Sequence, residues 1–188
     1  AGMKVRRVAL CSLLLAAVVE SALAQPAKPT SCIACHGDPA LWDANGLRAV
    51  RDFPQDVHAE VGLSCHDCHG GNPDPALAED AEAAMDKAYR PNPFRPTPAR
   101  GGIPAACGRC HSDAAYMKRF NPGLRVDQEQ EYWTSQHGKA LRRGDASVAT
   151  CVDCHGVHGT LRPGNPLSPV YPTHVAEPRR GCHAESQR

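Results

Sequence analysis

The sequence predicts a mostly irregular chain with short α-helices and little or no β-structure. Of its 188 residues, 17 are proline and 16 are glycine, and aromatic residues make up only 5%. This composition favours turns and offers too few bulky side chains for a large packed core. A third observation is the pattern Cys-x-x-Cys-His, which can place two thiols and an imidazole on one face of a short helix. It occurs four times, at Cys32–His36, Cys65–His69, Cys107–His111 and Cys151–His155.

Each copy of the motif predicts one covalently attached haem. The two thiols can add to the two vinyl groups of one porphyrin, and the adjoining imidazole then lies under the iron as its proximal ligand. Structural zinc sites need a second Cys or His pair for each ion, and a disulfide scaffold leaves the four histidines unexplained. We therefore expect haem c as the cofactor, in four copies with a fifth left open. The predicted attachment residues are Cys32, Cys35, Cys65, Cys68, Cys107, Cys110, Cys151 and Cys154, and the predicted proximal ligands are His36, His69, His111 and His155.

Residues 1–24 are predicted to be a secretory signal peptide. The two residues before Met3 look extraneous, and basic residues then lead into an apolar run at 8–19 and a small-residue cleavage site, Ala22 to Ala24. The apolar run is shorter than a membrane-spanning helix requires, so we expect no stable membrane anchor. Cleavage after Ala24 would leave the mature chain in the periplasm, with an extracellular location left open.

The charge balance argues against a nucleic-acid partner. The chain carries 21 basic and 20 acidic residues, a formal net charge of +1. Without the signal peptide, 18 basic and 19 acidic residues remain, and haem propionates would add further negative charge. We therefore expect an acidic loaded protein that does not bind nucleic acid.

The motifs alternate between two types, which indicates a duplicated two-haem unit. Residues 32–42 resemble residues 107–117, whereas the second and fourth motifs share Asp-Cys-His-Gly and are each followed by Gly-Asn-Pro. We call the first and third motifs type A and the second and fourth type B. The predicted organisation is a first two-haem unit at 25–90, a Pro/Gly-rich connector at 91–106 and a second two-haem unit at 107–188, which ends in a degenerate fifth motif.

Two longer helices are predicted between the motifs. Residues 75–90 are rich in Ala, Glu, Asp and Lys and begin with a proline. Asp127 with Gln130 three positions later is typical of a capping box, and Gly144 can end the helix that carries His137.

The histidine count predicts two axial ligands for each iron. Of the ten histidines, five follow the second cysteine of a complete or incomplete motif, and the other five do not, since His66 follows only the first cysteine of its motif. No methionine of the mature chain stands in an obvious ligand setting, so the second group supplies the expected distal ligands. Two imidazoles on one iron leave no vacant position for a substrate, which favours electron transfer over catalysis. The candidate distal ligands are His58, His137, His158, His174 and His66.

These distal candidates stand in different settings. His58 and His137 each lie upstream of a type B motif. His158 is too close to His155 to reach the opposite face of the same porphyrin, so it would bind a neighbouring haem. His66 lies between the thiols of its own motif, where ligation of an adjacent haem and simple exposure are both open.

The end of the chain contains the second half of a fifth motif, Cys182-His183, with Arg179 where the first cysteine would stand. Glu185 matches the acidic residue that follows the type A motifs. Three outcomes are open: a haem held by one thioether, a haem bound without a covalent link, and no haem. Cys182 is thus a candidate attachment residue and His183 a candidate ligand.

The four motifs, the surplus histidines and the signal peptide together resemble the periplasmic multihaem c-type cytochromes. The similar groups are the small tetrahaem and pentahaem, doubled-CXXCH and cytochrome c3-like proteins. The resemblance implies a chain wrapped around a row of haems that carries electrons and is not an enzyme. Its implied partners are a quinol-oxidising cytochrome as donor and a terminal reductase or another multihaem cytochrome as acceptor. Two alternatives remain: a small reductase of nitrite- or hydroxylamine-type substrates, and a subunit of an extracellular conductive filament.

Overall fold

The structure is a computed structural model that describes residues 29–176 and 183. Within these residues there is no β-strand, and the longest of ten α-helices has nine residues, which confirms the predicted fold class. No helix in this part of the chain has the length and hydrophobicity to cross a membrane. The predicted signal peptide and Cys182 lie outside the described residues. The helices are α1 (Ser31–His36), α2 (Arg48–Asp52), α3 (Val57–Glu60), α4 (Cys65–His69), α5 (Ala81–Ala84), α6 (Ile103–His111), α7 (Ala114–Met117), α8 (Gln128–Thr134), α9 (Gln136–Arg142) and α10 (Cys151–His155).

Three of the four motifs lie in short helices of five or six residues, as predicted. The first, second and fourth motifs form most or all of α1, α4 and α10. The third motif instead lies at the C-terminal end of α6, which begins at Ile103 and carries Pro104 in its first turn. Residues 103–106 of the predicted connector are therefore already helical.

The two type B motifs share one local structure. In α4, the Asp67 carboxylate accepts a hydrogen bond from the backbone N–H of Ser64 at 2.7 Å, and Asp153 accepts one from Thr150 at 2.7 Å before α10. In both, the Ser or Thr hydroxyl accepts in return from the backbone of the Asp, which completes a capping box. Both helices then end at a glycine with a positive φ, 67° and 73°, a conformation that favours glycine. The repeat seen in the sequence is thus present in the backbone.

The prediction of a continuous helix over 75–90 is wrong. This stretch contains a 3-10 turn, Pro75–Leu77, and the single helical turn α5. Asp80 separates them, because its carboxylate accepts a hydrogen bond from the backbone N–H of Ala83 at 2.9 Å and so starts a new helix. The helix-forming composition of the stretch is overridden by this local cap.

The prediction of one helix from Asp127 to Gly144 is also wrong, because Ser135 divides it into α8 and α9. Ser135 has an extended backbone (φ −70°, ψ 166°), and its hydroxyl accepts a hydrogen bond from the N–H of Gly138 at 3.1 Å. Asp127 does lie at the N-cap of α8, but its side chain makes no capping hydrogen bond. Gly144 follows the end of α9 with a φ of 95°, in the predicted place.

The connector lies against the end of α4. The side-chain amide of Asn92 donates a hydrogen bond to the backbone carbonyl of His66 at 2.7 Å. A Cβ atom on Gly70 would lie 2.0 Å from the backbone oxygen of Pro93, so only glycine allows this approach. The connector therefore supports the second motif directly.

Further hydrogen bonds join the two predicted units. Arg109 of α6 donates from its guanidinium group to the backbone carbonyl of Cys68 at 2.8 Å. The backbone N–H of Val57 donates to the carbonyl of Thr160 at 2.8 Å. The first unit thus contacts both the third motif and the segment that follows the fourth.

The described residues contain almost no hydrophobic core. Met117 and Leu141 are the buried hydrophobic side chains among them. Several large apolar side chains are instead exposed, including Leu41 (62%), Val157 (59%) and Leu167 (80%). A chain with so little buried apolar surface needs another source of it in order to fold.

Haem attachment is expected to be required for this fold. A variant with the eight described motif cysteines replaced by serine should lose most of its helical circular dichroism and should be cleaved rapidly by proteases. The reason is that burial of Met117 and Leu141 cannot offset the conformational entropy of ordering the backbone. Circular dichroism and limited proteolysis of this variant, beside the haem-loaded protein from the same export system, measure the effect. Equal helicity and equal resistance would show that the chain folds without haem.

Candidate haem centres

The first cysteine of each type A motif lies next to the first cysteine of the following type B motif. Cys32 and Cys65 form a hydrogen bond, which lowers the pKa of the Cys32 thiol to about 6. Cys107 and Cys151 pair in the same way, and the pKa of Cys151 is lowered to about 7. The partner thiol in each pair has a raised pKa, first because of this hydrogen bond and then because of burial. These thiols stand for thioether sulfurs, which do not titrate, so the shifts matter here as a sign of close approach.

The second and third motifs are also neighbours. The hydrogen bond from Arg109 to the carbonyl of Cys68 joins them, and burial together with the nearby Cys110 raises the pKa of the Cys68 thiol. The four motifs therefore follow one another in space in the order that they have in the sequence. No disulfide joins any two of the eight described motif cysteines.

The structure brings six histidines together in three pairs. The ring centres of His58 and His111 are 6.0 Å apart, and those of His69 and His158 are 6.2 Å apart. The third pair, His137 and His183, has its ring centres 5.9 Å apart. In each pair, one histidine follows a cysteine in the sequence and the other does not.

This separation fits two imidazoles on opposite sides of one iron. An imidazole nitrogen binds a transition metal at about 2 Å and the ring centre lies about 1 Å further away, so two such rings have centres about 6 Å apart. Burial and the neighbouring His58 lower the pKa of His111, and burial and the neighbouring His69 lower that of His158. A lowered pKa keeps a histidine neutral at neutral pH, with a lone pair for the metal.

Hydrogen bonds to Nδ1 orient three of the candidate ligands. The Nδ1 atom of His58 lies 2.7 Å from the Asp56 carboxylate. The Nδ1 atom of His69 lies 3.4 Å from the carbonyl oxygen of Arg95, and the Nδ1 atom of His174 lies 3.1 Å from the carbonyl oxygen of Ser168. Donation from Nδ1 fixes the tautomer in which Nε2 can bind a metal. In the described part of the chain, no group of three or more His, Cys, Asp or Glu side chains is arranged to hold an ion.

Comparison with known sequences identifies the family. A family model described as cytochrome c7 and related cytochrome c matches residues 51–183, which include three complete motifs and His183. The chain belongs to this cytochrome family. No curated protein and no solved structure matches it. Membership confirms the prediction of a multihaem c-type cytochrome with covalently bound haem c, and multihaem electron transfer is the function that the family suggests.

Asp56 is a residue of this cytochrome that the sequence analysis missed. Its side chain is only 2% exposed and accepts hydrogen bonds from the backbone N–H groups of His58 and Thr160, both at 2.8 Å, besides its bond to the His58 ring. Burial raises the pKa of the Asp56 carboxyl, but these hydrogen bonds outweigh it, so that the pKa lies below its usual value. A buried carboxylate is therefore held next to a candidate iron ligand. The signal was present in the sequence as an acidic residue two positions before a histidine.

The same carboxylate also positions His158. Thr160 follows His158 by two residues, and its N–H is fixed by Asp56. His158 has a left-handed backbone with a φ of 59°, which costs a non-glycine residue about 1 kcal/mol or more. The anchoring of Thr160 by Asp56 helps to hold this conformation, in which the His158 ring faces that of His69.

The other four histidines form no such pair within the described residues. His36 stacks on Trp42 with ring centres 4.8 Å apart, and the Trp42 indole N–H donates to the Cys35 carbonyl at 3.0 Å. His66 has a buried Nδ1 atom with no hydrogen-bond partner in this part of the chain. His155 is exposed at the end of α10, and the ring of His174 contacts Tyr171. The structure therefore leaves the ligand roles of these four predicted residues as predictions.

Replacement of Asp56 by asparagine is expected to raise one haem potential. Asparagine can still accept hydrogen bonds from His58 through its one oxygen, but its amide nitrogen cannot accept the bond from Thr160, and the negative charge that favours ferric over ferrous iron is removed. The expected rise is roughly 60 mV, which is a tenfold change in the equilibrium of a one-electron couple. A redox titration followed by visible absorption measures it.

The matched control for this variant is Asp74→Asn. The Asp74 carboxylate is exposed and caps a turn by accepting a hydrogen bond from the backbone N–H of Ala76. This control should leave all potentials unchanged. Unchanged potentials in Asp56→Asn as well would show that Asp56 has no electrostatic influence on a haem.

Proposed function

We propose that this cytochrome carries electrons between redox proteins of the periplasm through a row of haems, each with two histidine ligands. The observation that supports this most directly is the recurrence of histidine pairs whose ring centres lie 5.9 to 6.2 Å apart. An iron with both axial positions filled by the protein has no place for a substrate, so the protein would exchange electrons without forming a product. The haem supplies the one-electron couple, and the chain holds and shields it.

The two best-defined pairs assign ligands to the second and third motifs. His111 of the third motif would share its iron with His58, and His69 of the second motif would share its iron with His158. Each pair joins the first predicted unit to the second. The Nδ1 contacts of His58 and His69 support this assignment because donation from Nδ1 leaves the lone pair of Nε2 available to a metal.

For the first and fourth motifs, the remaining histidines supply the proposed distal ligands. His66 lies close enough to Cys32 to lower the pKa of that thiol. The buried Nδ1 atom of His66 has no hydrogen-bond partner within the described residues. We therefore assign His66 to the iron of His36. His174, whose Nδ1 is bonded to a backbone carbonyl, is then the proposed partner of His155.

The proposed partners are a quinol-oxidising cytochrome as electron donor and a terminal reductase or another multihaem cytochrome as acceptor. The order of the four motifs in space supports transfer along the molecule, because neighbouring motifs bring neighbouring porphyrins close together. The acidic charge of the loaded protein would favour docking of partners with a basic surface around their own redox centre.

Removal of a distal ligand should open one iron to external ligands. The loaded wild-type protein should be low-spin in both oxidation states and bind almost no carbon monoxide. His58→Ala should bind about one carbon monoxide per chain in the reduced state, because the iron of His111 loses its sixth ligand. Visible and magnetic circular dichroism spectra, with titration of carbon monoxide, measure both properties.

Gln55→Ala, at an exposed position shortly before His58, is the control and should behave as the wild type. A wild-type protein that already binds carbon monoxide stoichiometrically would contradict the proposed carrier function. It would point instead to a reductase with an open iron.

A further inference from the structure

We propose that His137 and His183 bind the iron of a fifth haem. The inference rests on the proposed function, because it applies the same two-histidine ligation to a position where the attachment motif is incomplete. The third histidine pair carries the argument. Its ring centres are 5.9 Å apart with an angle of 29° between the ring planes, and this separation lies within 0.3 Å of those of the pairs that contain complete motifs, 6.0 and 6.2 Å.

The composition of the pair repeats that of the others. His183 follows a cysteine, as His69 and His111 do, and His137 does not, as is true of His58 and His158. A chance contact between two histidine rings has no reason to reproduce both the separation and this combination. The pair also completes the count, because each of the five histidines that follow the second cysteine of a complete or incomplete motif then has one distal partner.

His137 is held in place by a tightly packed corner between α8 and α9. A Cβ atom on Gly138 would lie 2.1 Å from the carbonyl oxygen of Tyr132, so the two helices approach each other as closely as glycine permits. Leu141, four residues after His137 and therefore on the same helix face, is one of the buried apolar side chains of the described residues. His137 thus has the fixed backbone that a metal ligand needs.

The same corner is tied to the fourth motif. The Tyr132 hydroxyl donates a hydrogen bond to the carbonyl of Ala149 at 3.0 Å, two residues before Cys151. The corner also contacts the third motif, since the Ser112 hydroxyl after His111 donates to the Glu129 carboxylate of α8 at 3.2 Å. A haem at this pair would therefore lie beside the third and fourth motifs.

One thiol is sufficient to attach this haem covalently. The Cys182 S–H can add across one porphyrin vinyl group: the sulfur bonds to the inner vinyl carbon, the C=C double bond becomes single, and the proton goes to the outer carbon. The reaction is an addition with no leaving group and needs no oxidant or reductant. Cys182 lies outside the described residues, and the ligand pair supports the inference without it.

Native mass spectrometry of the exported, loaded protein tests the inference. The wild type is expected to carry five low-spin haems. In His183→Ala, the fifth haem is expected either to be lost or, where Cys182 holds it by a thioether, to stay bound and become high-spin in the visible spectrum, because its proximal ligand is missing. Glu185→Gln, two residues further on, is the matched control and should keep five. A His137→Gln variant provides a second test: it should keep its other haems low-spin and show one new high-spin haem or lose one haem.

Denaturing mass spectrometry then shows how the fifth haem is attached. Five haems retained in the wild type and four in Cys182→Ser would demonstrate the single thioether, whereas four retained in both would show a fifth haem held by its two histidines alone. Both results support the ligand pair. A native wild type with four low-spin haems, unchanged in His183→Ala, would overturn the fifth haem and leave the carrier function intact, whereas a protein without bis-histidine haems would overturn both.

Discussion

The fold depends on haem as a replacement for a side-chain core. Met117 and Leu141 are the buried hydrophobic residues in the described part of the chain, and large apolar side chains such as Leu167 are exposed. Ordering a backbone costs roughly 1–2 kcal/mol per residue, and two buried side chains at about 1.5–3 kcal/mol each cannot meet that cost. Porphyrins provide large apolar plates, and covalent links with two axial bonds join distant parts of the chain. The four helices that carry motifs can therefore be short, since each has only to present one motif to one haem.

Because haem ligation is expected to take the place of side-chain packing, a few polar contacts have a large effect on how the loops and helices are arranged. Asp56 is the clearest case, since one buried carboxylate orients the His58 ring, fixes the segment before α3 and holds Thr160, 104 residues away in the sequence. A buried charge is costly unless it is fully hydrogen-bonded, and Asp56 meets that condition with three donors. The same group thus joins two loops, and its charge is expected to act on a haem bound by His58.

The sequence predicted the fold class and the cofactor because both depend on local patterns. Cys-x-x-Cys-His is a complete chemical unit within five residues, and its repetition with abundant proline and glycine was sufficient to predict short helices without β-structure. The predictions of two long helices were wrong because Asp80 and Ser135 each cap a new helix. Composition alone does not reveal where a side chain forms a hydrogen bond with the nearby backbone and so divides a helix. The pairing of histidines could not be predicted, because His58 and His158 meet partners that are distant in sequence.

The proposed pairing has a structural consequence for the repeat. His58 of the first unit faces His111 of the second, and His158 of the second unit faces His69 of the first. A duplicated two-haem unit would be expected to supply its own ligands, yet under the proposed pairing each unit would supply a distal ligand to the other. Such reciprocal exchange would make the two units interdependent, since neither could fill the axial positions of its own irons alone. It would also hold the second and third motifs together, where the hydrogen bond from Arg109 to Cys68 joins them. The exchange of ligands would thereby make the proposed row of haems continuous across the boundary between the two halves of the chain.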